Sequence, residues 1–315
     1  MSEAAVDMPP RKSELADPVL IRARGITRRF GPGLPALDAV TLDIRQGEIL
    51  GLVGESGSGK STLGRILLGL IAASEGSVTF DDMPMPPLRP TEAQIVFQDA
   101  LGALNPRRTI GQSIALPLVN AGWSRERRAD RISELLQSVG LSPSDAARYP
   151  HQFSGGQCQR IVIARALALG PRFLFLDEPV SALDVSVQAQ ILNLLARVQA
   201  EAGLTFLFVS HDLEVVRHFC DRTAVLYRGQ LMETGPADEL YDAPRHPYTR
   251  ALRASVLNGG GLPELVPETP GSDAAPGGCR FAARCPKVRP ICLIERPPER
   301  PVGPDHTTAC HALTD

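Results

Sequence analysis

Nine consecutive residues, Gly54-Glu55-Ser56-Gly57-Ser58-Gly59-Lys60-Ser61-Thr62, constrain this chain more than any other part of it. They follow an apolar run that ends at Val53 and precede Leu63, Ile66 and Leu67 at helical spacing. A glycine-rich loop between a strand and a helix turns successive backbone N–H groups inward, and the helix start adds the positive end of its dipole. Such a loop cradles phosphate. Lys60 is then placed to reach the β- and γ-phosphates of a nucleotide, and the Ser61 hydroxyl to reach Mg2+. Gly54, Ser56, Gly57, Gly59 and Thr62 complete the candidate binding loop. A plain Gly/Ser turn would not require the Lys-Ser-Thr ending.

A strand–loop–helix unit predicts its surroundings. Residues 48–53, 94–97, 173–176, 205–209 and 224–227 read as strands, several of them apolar throughout, as in a parallel sheet covered on both faces. Between them, Ile132, Leu135, Leu136 and Val139 repeat at helical spacing, as do Val187, Ile191, Leu194, Leu195 and Val198. The alternation predicts a three-layer α/β domain, and 43% hydrophobic residues suffice for its core. Residues 1–18 read as a flexible tail, 19–235 as the main domain and 236–315 as an extension. Within the extension, 258–278 are rich in Gly and Pro, and the rest is rich in Pro, Arg and Cys with little periodicity.

The formal net charge of -2 leaves no basic footprint for nucleic acid. No apolar stretch approaches the ~20 residues that span a bilayer, and no secretory signal follows Met1. The chain is therefore expected to be soluble by itself, and any transport role needs a pore from another polypeptide. Cys158 and Cys220 are isolated, whereas Cys279, Cys285, Cys292 and Cys310 crowd into the last segment. In a reducing compartment, metal ligation or free thiols are expected there rather than disulfides.

Two further motifs carry chemistry. Phe173-Leu174-Phe175-Leu176 is an apolar strand that delivers Asp177 and Glu178 to the carboxyl edge of a sheet. Asp177 suits the Mg2+ shell, and Glu178 suits a general base that orients water toward a γ-phosphate. Ser154-Gly155-Gly156-Gln157 has capping-box spacing at the start of a helical run, and its two glycines allow a phosphate close to the backbone.

This ordered set resembles the ABC ATPases, whose signature Ser-Gly-Gly-Gln precedes the acidic strand end. The resemblance covers about residues 19–235. It implies a P-loop NTPase fold: a RecA-like parallel sheet core, an antiparallel β-subdomain and an α-helical signature subdomain. It further implies that Phe30 stacks on adenine, although a core aromatic remains an alternative. Gln98 matches the glutamine that senses Mg2+ and water, Asp184 closes the Ser181-Ala182-Leu183-Asp184 loop, and His211 matches the switch histidine at the γ-phosphate. By the resemblance, Ser61, Gln98 and Asp177 serve Mg2+, and Glu178, His211 and Gln98 serve catalysis. ATP lies between the P-loop of one subunit and the signature of the other in a head-to-tail dimer. Because Glu178, His211 and the Ser154 motif are all present, this chain contributes competent halves to both composite sites.

The stretch from Phe97-Gln98-Asp99 through Leu104-Asn105-Pro106-Arg107, the run from Leu183 to Gln190, and His246-Pro247-Tyr248-Thr249 resemble the oligopeptide/dipeptide/nickel importer branch more than other ABC ATPases. That implies two transmembrane permease subunits, a sister or identical ATPase, an extracytoplasmic substrate-binding protein, and a peripheral place on the cytoplasmic face of the inner membrane. Cargo, peptide or nickel/metallophore, is carried by resemblance alone. The four C-terminal cysteines share the spacing of relatives that bind a 4Fe-4S cluster; zinc and unligated thiols stay open as rivals. Two departures stand out: Cys158 replaces a usual basic residue, and residues 76–94 are shorter than in close relatives. A soluble ABC protein acting on ribosomes or DNA normally carries two cassettes or a long coiled coil, and a mainly regulatory subunit would not need Glu178.

Overall fold

The computed structural model describes residues 18–84, 91–257 and 277–313. The tail expected at 1–18 lies outside them save Pro18, as do most of the Gly/Pro-rich residues 258–278 and part of the short stretch 76–94. In chain order the elements are β1 (Val19–Arg28), β2 (Leu37–Arg45), β3 (Ile49–Val53), α1 (Lys60–Leu67), β4 (Glu75–Phe80), β5 (Met83–Pro84), β6 (Ala93–Val96), α2 (Ile110–Asn120), α3 (Arg125–Ser138), α4 (Gly155–Ala166), β7 (Phe173–Asp177), α5 (Val185–Ala202), β8 (Thr205–Ser210), α6 (Leu213–Phe219), β9 (Arg222–Tyr227), β10 (Gln230–Pro236), α7 (Ala237–Asp242), α8 (Pro247–Leu257), β11 (Glu299–Gly303) and β12 (His306–Ala309). The described residues fall into two compact units, 18–84 with 208–257 and 277–313, and 91–207. Strand β8 runs across the boundary.

In the first unit an antiparallel sheet has the order β2-β1-β4-β5. Along β1 Leu20, Ile21, Ala23, Ile26 and Thr27 are buried, and an irregularity between Ala23 and Ile26 breaks the simple alternation. The second sheet runs β11-β12-β10-β9-β3-β8. All five residues of β3 are buried, and it pairs in parallel with β9, Leu52 opposite Ala224. The β9–β10 hairpin turns on Arg228 and Gly229, both at positive φ (43° and 82°), the geometry that matches the twist of its strands. Beyond β10 the sequence promises little order, yet β12 pairs antiparallel with β10 (Glu233 opposite Thr308) and β11 pairs with β12. The C-terminal segment thus adds two strands to an existing sheet edge.

In the second unit the order is β8-β7-β6, with β6 and β7 parallel, Val96 opposite Leu176. Helix α5 buries Ile191, Leu194, Leu195 and Val198, the stripe its spacing predicts. Helix α2 starts in a capping box of Thr109 and Gln112, and α3 is capped by Ser124, each satisfying amides that a helix start leaves open. Among the described residues no helix is long and apolar enough to cross a membrane.

Two buried clusters tie the C-terminal strands into the first unit. Phe281 is wholly buried; its ring lies 5.3 Å from Tyr227, 5.3 Å from Tyr248 and 5.8 Å from His246. Burial lowers the pKa of His246 to about 4, so this ring is neutral. In the second cluster His306 Nε2 lies 2.8 Å from Glu233 Oε1, and Nδ1 lies 3.1 Å from Glu239 Oε1. Burial alone pushes His306 down and Glu233 up. For His306 the two carboxylates outweigh burial and hold it above its ordinary 6.5. For Glu233, bonds from His306, Thr249 and the amides of Arg245 and His246 hold it below its ordinary 4.5.

Truncating Phe281 to Ala should destabilise the protein by about 3–5 kcal/mol, the cost of a large buried ring, measurable as a shift in denaturant midpoint. The His306 contribution is complete below 6.5 and is lost as pH rises through its raised value, whereas that of Glu233 is present above 4.5 and is lost as pH falls through its lowered value. The pair therefore stabilises most between those two values. Tm should fall more steeply from about pH 6 to about pH 8.5 in the wild type than in His306→Gln, by roughly 2–4 °C.

Candidate nucleotide-binding and catalytic site

The phosphate loop belongs to the first unit. Its turn is so tight that a Cβ on Gly54 would lie 2.1 Å from the carbonyl oxygen of Leu226, and one on Gly59 2.6 Å from that of Ala36. Gly59 is also the N-cap of α1, at φ 107°, and makes no side-chain cap. A glycine N-cap leaves the first turn without a cap from its own side chain. Lys60 is only 6% exposed, and its ammonium donates to the carbonyl oxygens of Gly54 (2.8 Å) and Glu55 (2.9 Å). A cation held inside a loop of converging amides is a strong anion receptor. Ser56 and Gly57 are exposed at the loop's crest, and Ser61 and Thr62 are half-buried at the start of α1.

Phe30 lies in the same unit and is 64% exposed, with the Arg28 guanidinium 4.7 Å from its ring centre. The core-aromatic alternative is thereby removed. His211 is exposed just after β8, between Ser210 and Asp212, the residue that caps α6 through bonds from the amides of Glu214 and Val215.

The second unit holds the remaining residues. Strand β7 is buried to its end at Asp177, and Glu178, half-buried, takes φ 50°. That conformation is uncommon for a residue with a side chain and costs free energy. Gln98 Nε2 donates to Ser181 Oγ (3.2 Å), and that hydroxyl donates to the Glu178 carbonyl (3.1 Å). Three segments singled out separately in the sequence are joined here by two hydrogen bonds. Gln188 donates from Nε2 to the carbonyls of Val180 (3.0 Å) and Leu183 (2.9 Å), fixing the loop between them. Asp184 is the exposed N-cap residue of α5 and makes no side-chain cap bond.

The signature opens α4 as expected: Ser154 Oγ accepts from the Gln157 amide (3.4 Å), and Gln157 Oε1 accepts from the Ser154 amide (3.0 Å). Ser154, Gly155 and Gln157 are exposed. Gly156 is buried, and a Cβ there would meet Val187 Cγ1 at 2.5 Å, so glycine at this position also lets α5 pack closely. Cys158 is buried, its thiol pKa is raised by burial, and Sγ donates to the Pro150 carbonyl at 3.7 Å.

The iron–sulfur expectation finds no support. Cys279, Cys285, Cys292 and Cys310 are all buried free thiols. Among the described residues no group of three or more Cys, His, Asp or Glu is placed to hold a metal ion, whether iron or zinc. Burial, first of all, pushes Cys279 up to about 12, against an amide bond at Phe281 and with help from the neighbouring sulfurs. Burial likewise raises Cys285 and Cys310. Sequence reasoning also missed the partners of Glu55: Arg284 bonds both of its carboxylate oxygens (3.0 Å each), and its amide donates to Tyr248 Oη (3.0 Å).

Comparison with known proteins agrees with this assembly. The ABC transporter family profile matches residues 37–181, and the profile of the oligopeptide/dipeptide transporter C-terminal region matches residues 232–292. The chain is 45% identical over 303 residues to the oligopeptide transport ATP-binding protein AppF of Bacillus subtilis, covering 91% of this chain and 92% of that protein. It is 47% identical over 284 residues to OppF of Escherichia coli, also an oligopeptide transport ATP-binding protein, covering 84% of each. A dimeric ATP-binding cassette in a post-hydrolysis state with ADP and Pi superposes with a TM-score of 0.62 at 33% identity, over 69% of this chain and 99% of that one. On fold, motifs and relatives together, the chain belongs to the ABC transporter family, as an ATP-binding and ATP-hydrolysing protein of its oligopeptide/dipeptide branch.

Proposed function

We propose that this chain is one of two ATPase subunits that power an oligopeptide importer from the cytoplasmic face of the inner membrane. The observation that carries the reading is the Lys60 ammonium, buried and held by the carbonyls of Gly54 and Glu55 at the uncapped start of α1. The relatives named above are oligopeptide transport proteins, which favours peptide over nickel or a metallophore as cargo. In this reading residues 19–235 are the nucleotide-binding domain and 236–315 an extension. Two permease subunits form the pore, and an extracytoplasmic binding protein delivers the peptide.

The loop amides and Lys60 bind the β- and γ-phosphates of ATP, and Phe30 offers its exposed ring to adenine. Ser61, Gln98 and Asp177 hold Mg2+, which when bound neutralises charge on the phosphates. Glu178 takes a proton from the attacking water as the water oxygen bonds to the γ-phosphorus. The bond from that phosphorus to the β-bridging oxygen breaks, and ADP and phosphate leave. His211 donates a hydrogen bond to the γ-phosphate. Ser154, Gly155 and Gln157 present amides and side chains to the ATP of the opposing subunit, with Asp184 in the loop beside them. ATP then joins two subunits and hydrolysis releases them, a two-state element that can drive a membrane partner.

Replacing Glu178 with Gln should lower kcat by about 10²–10⁴-fold, the usual contribution of a positioned base, while Mg-ATP binding persists. The same variant should elute as a stable dimer with Mg-ATP in size-exclusion chromatography, and recovery from native membranes should bring permease subunits and a peptide-binding protein with it. A monomeric Glu178→Gln variant in saturating Mg-ATP, or recovery with ribosomal proteins and no permease, would refute the importer reading.

A further inference from the structure

The residues that grip the phosphate loop from behind come from the C-terminal segment, which the ATPase chemistry does not otherwise use. We propose that Arg284 and Tyr248 are positioning residues of the nucleotide site, and that the segment after residue 277 sets the affinity of the phosphate loop for Mg-ATP by clamping Glu55. The inference rests on nucleotide binding by that loop.

Glu55 is the second residue of the loop, and its carbonyl helps hold both the Lys60 ammonium (2.9 Å) and the Ser58 amide (3.1 Å). A rotation of this one peptide would move the principal phosphate-binding cation. Its amide donates to Tyr248 Oη at 3.0 Å, and Tyr248 is wholly buried at the start of α8. Its carboxylate meets Arg284 Nη1 at 3.0 Å from each oxygen, and the same nitrogen donates to Tyr227 Oη at 3.2 Å. Glu55 is thereby fixed at amide, carbonyl and carboxylate together.

Charge gives a second reason. An acidic side chain in a loop that binds phosphate repels its ligand unless it is paired. Arg284 supplies that pairing, and the side chains are 13% and 33% exposed, so water screens the pair only in part.

The same segment reaches the other edge of the site. Arg280, four residues before Arg284, donates from Nη1 to the carbonyls of Pro35 (3.0 Å) and Arg228 and from Nη2 to Asp38 Oδ2 (3.0 Å). Arg296 Nη1 donates to the Asp38 carbonyl at 2.9 Å. Pro35 and Asp38 end the stretch that begins at Phe30, the residue assigned to adenine. The same short segment therefore holds, through arginines, both the phosphate loop and the backbone at Pro35 and Asp38.

The test is equilibrium binding of Mg-ATP and steady-state hydrolysis with the full chain, comparing wild type, Arg284→Ala, Arg284→Lys, Glu55→Gln and the Glu55→Gln/Arg284→Ala double variant. Arg284→Ala should raise Kd and KM about tenfold with kcat little changed, as expected for loss of a charge-assisted bond. Arg284→Lys should recover part of the affinity. The double variant should bind more tightly than the product of the single effects, because the unpaired carboxylate has gone. If Arg284→Ala does not fold, Arg284→Lys and Glu55→Gln carry the same comparison. Folded variants that bind Mg-ATP within about twofold of wild type, with only Tm lowered, would overturn the proposal. Unchanged binding in Lys60→Ala would instead overturn the phosphate-loop reading on which it stands.

Discussion

The turn between β3 and α1 is the constraint on which the first unit depends. Five buried residues carry β3 into the sheet. At its end the chain passes so close to β9 that only a glycine clears the Leu226 carbonyl. Gly59 and Gly229 both face the Ala36 carbonyl, at 2.6 and 2.5 Å from where a Cβ would stand. Three backbone segments therefore converge within van der Waals distance, and none of the three glycines can take a side chain without displacing backbone. The result is a helix that starts at a glycine N-cap with a buried Lys60 beside it. Rigid surroundings matter because a receptor for phosphate gains affinity when its dipoles are already oriented.

That rigidity is maintained by polar contacts as much as by apolar packing. Asp38 is the hub: its amide donates to the Gly229 carbonyl (2.9 Å), and its carboxylate accepts from Gln230 (2.8 Å) and Arg280 (3.0 Å). The C-terminal strands add little hydrophobic area, and β11 is exposed or half-buried along its length. They are held by the His306 and Glu233 pair, by the Phe281 ring, and by arginines directed at backbone carbonyls. Guanidinium suits this task, since one planar group with several donors can satisfy two or three acceptors at once.

What was legible in the sequence had a local signal. The five predicted strands all exist within a residue or two, because apolar runs beside a glycine loop leave few alternatives. The signature's capping box was readable from Ser154 and Gln157 alone. Other features depend on partners far along the chain. Glu55 meets Tyr248 and Arg284 across 193 and 229 residues, distances at which spacing carries no information. The β11–β12 hairpin contains Pro301 and lacks an alternating pattern, so its strand character comes from the edge of β10 rather than from its own residues. The packing role of Gly156 is hidden for a similar reason: nothing local to the two glycines at that helix start announces the approach of Val187 from α5.

Glu178 shows how such long-range packing can carry chemistry. Its φ of 50° is costly, and a lone loop residue would relax to a cheaper conformation. Here the carbonyl of Glu178 is bonded by Ser181, whose hydroxyl is in turn bonded by Gln98. Gln188, one turn into α5, pins the carbonyls on either side of Ala182. The strained residue is therefore held directly by Ser181 and through it by Gln98, while Gln188 fixes the loop that follows. In the proposed reaction Glu178 orients water, and a carboxylate with that task gains from a fixed backbone, which the loop from Pro179 to Asp184 provides.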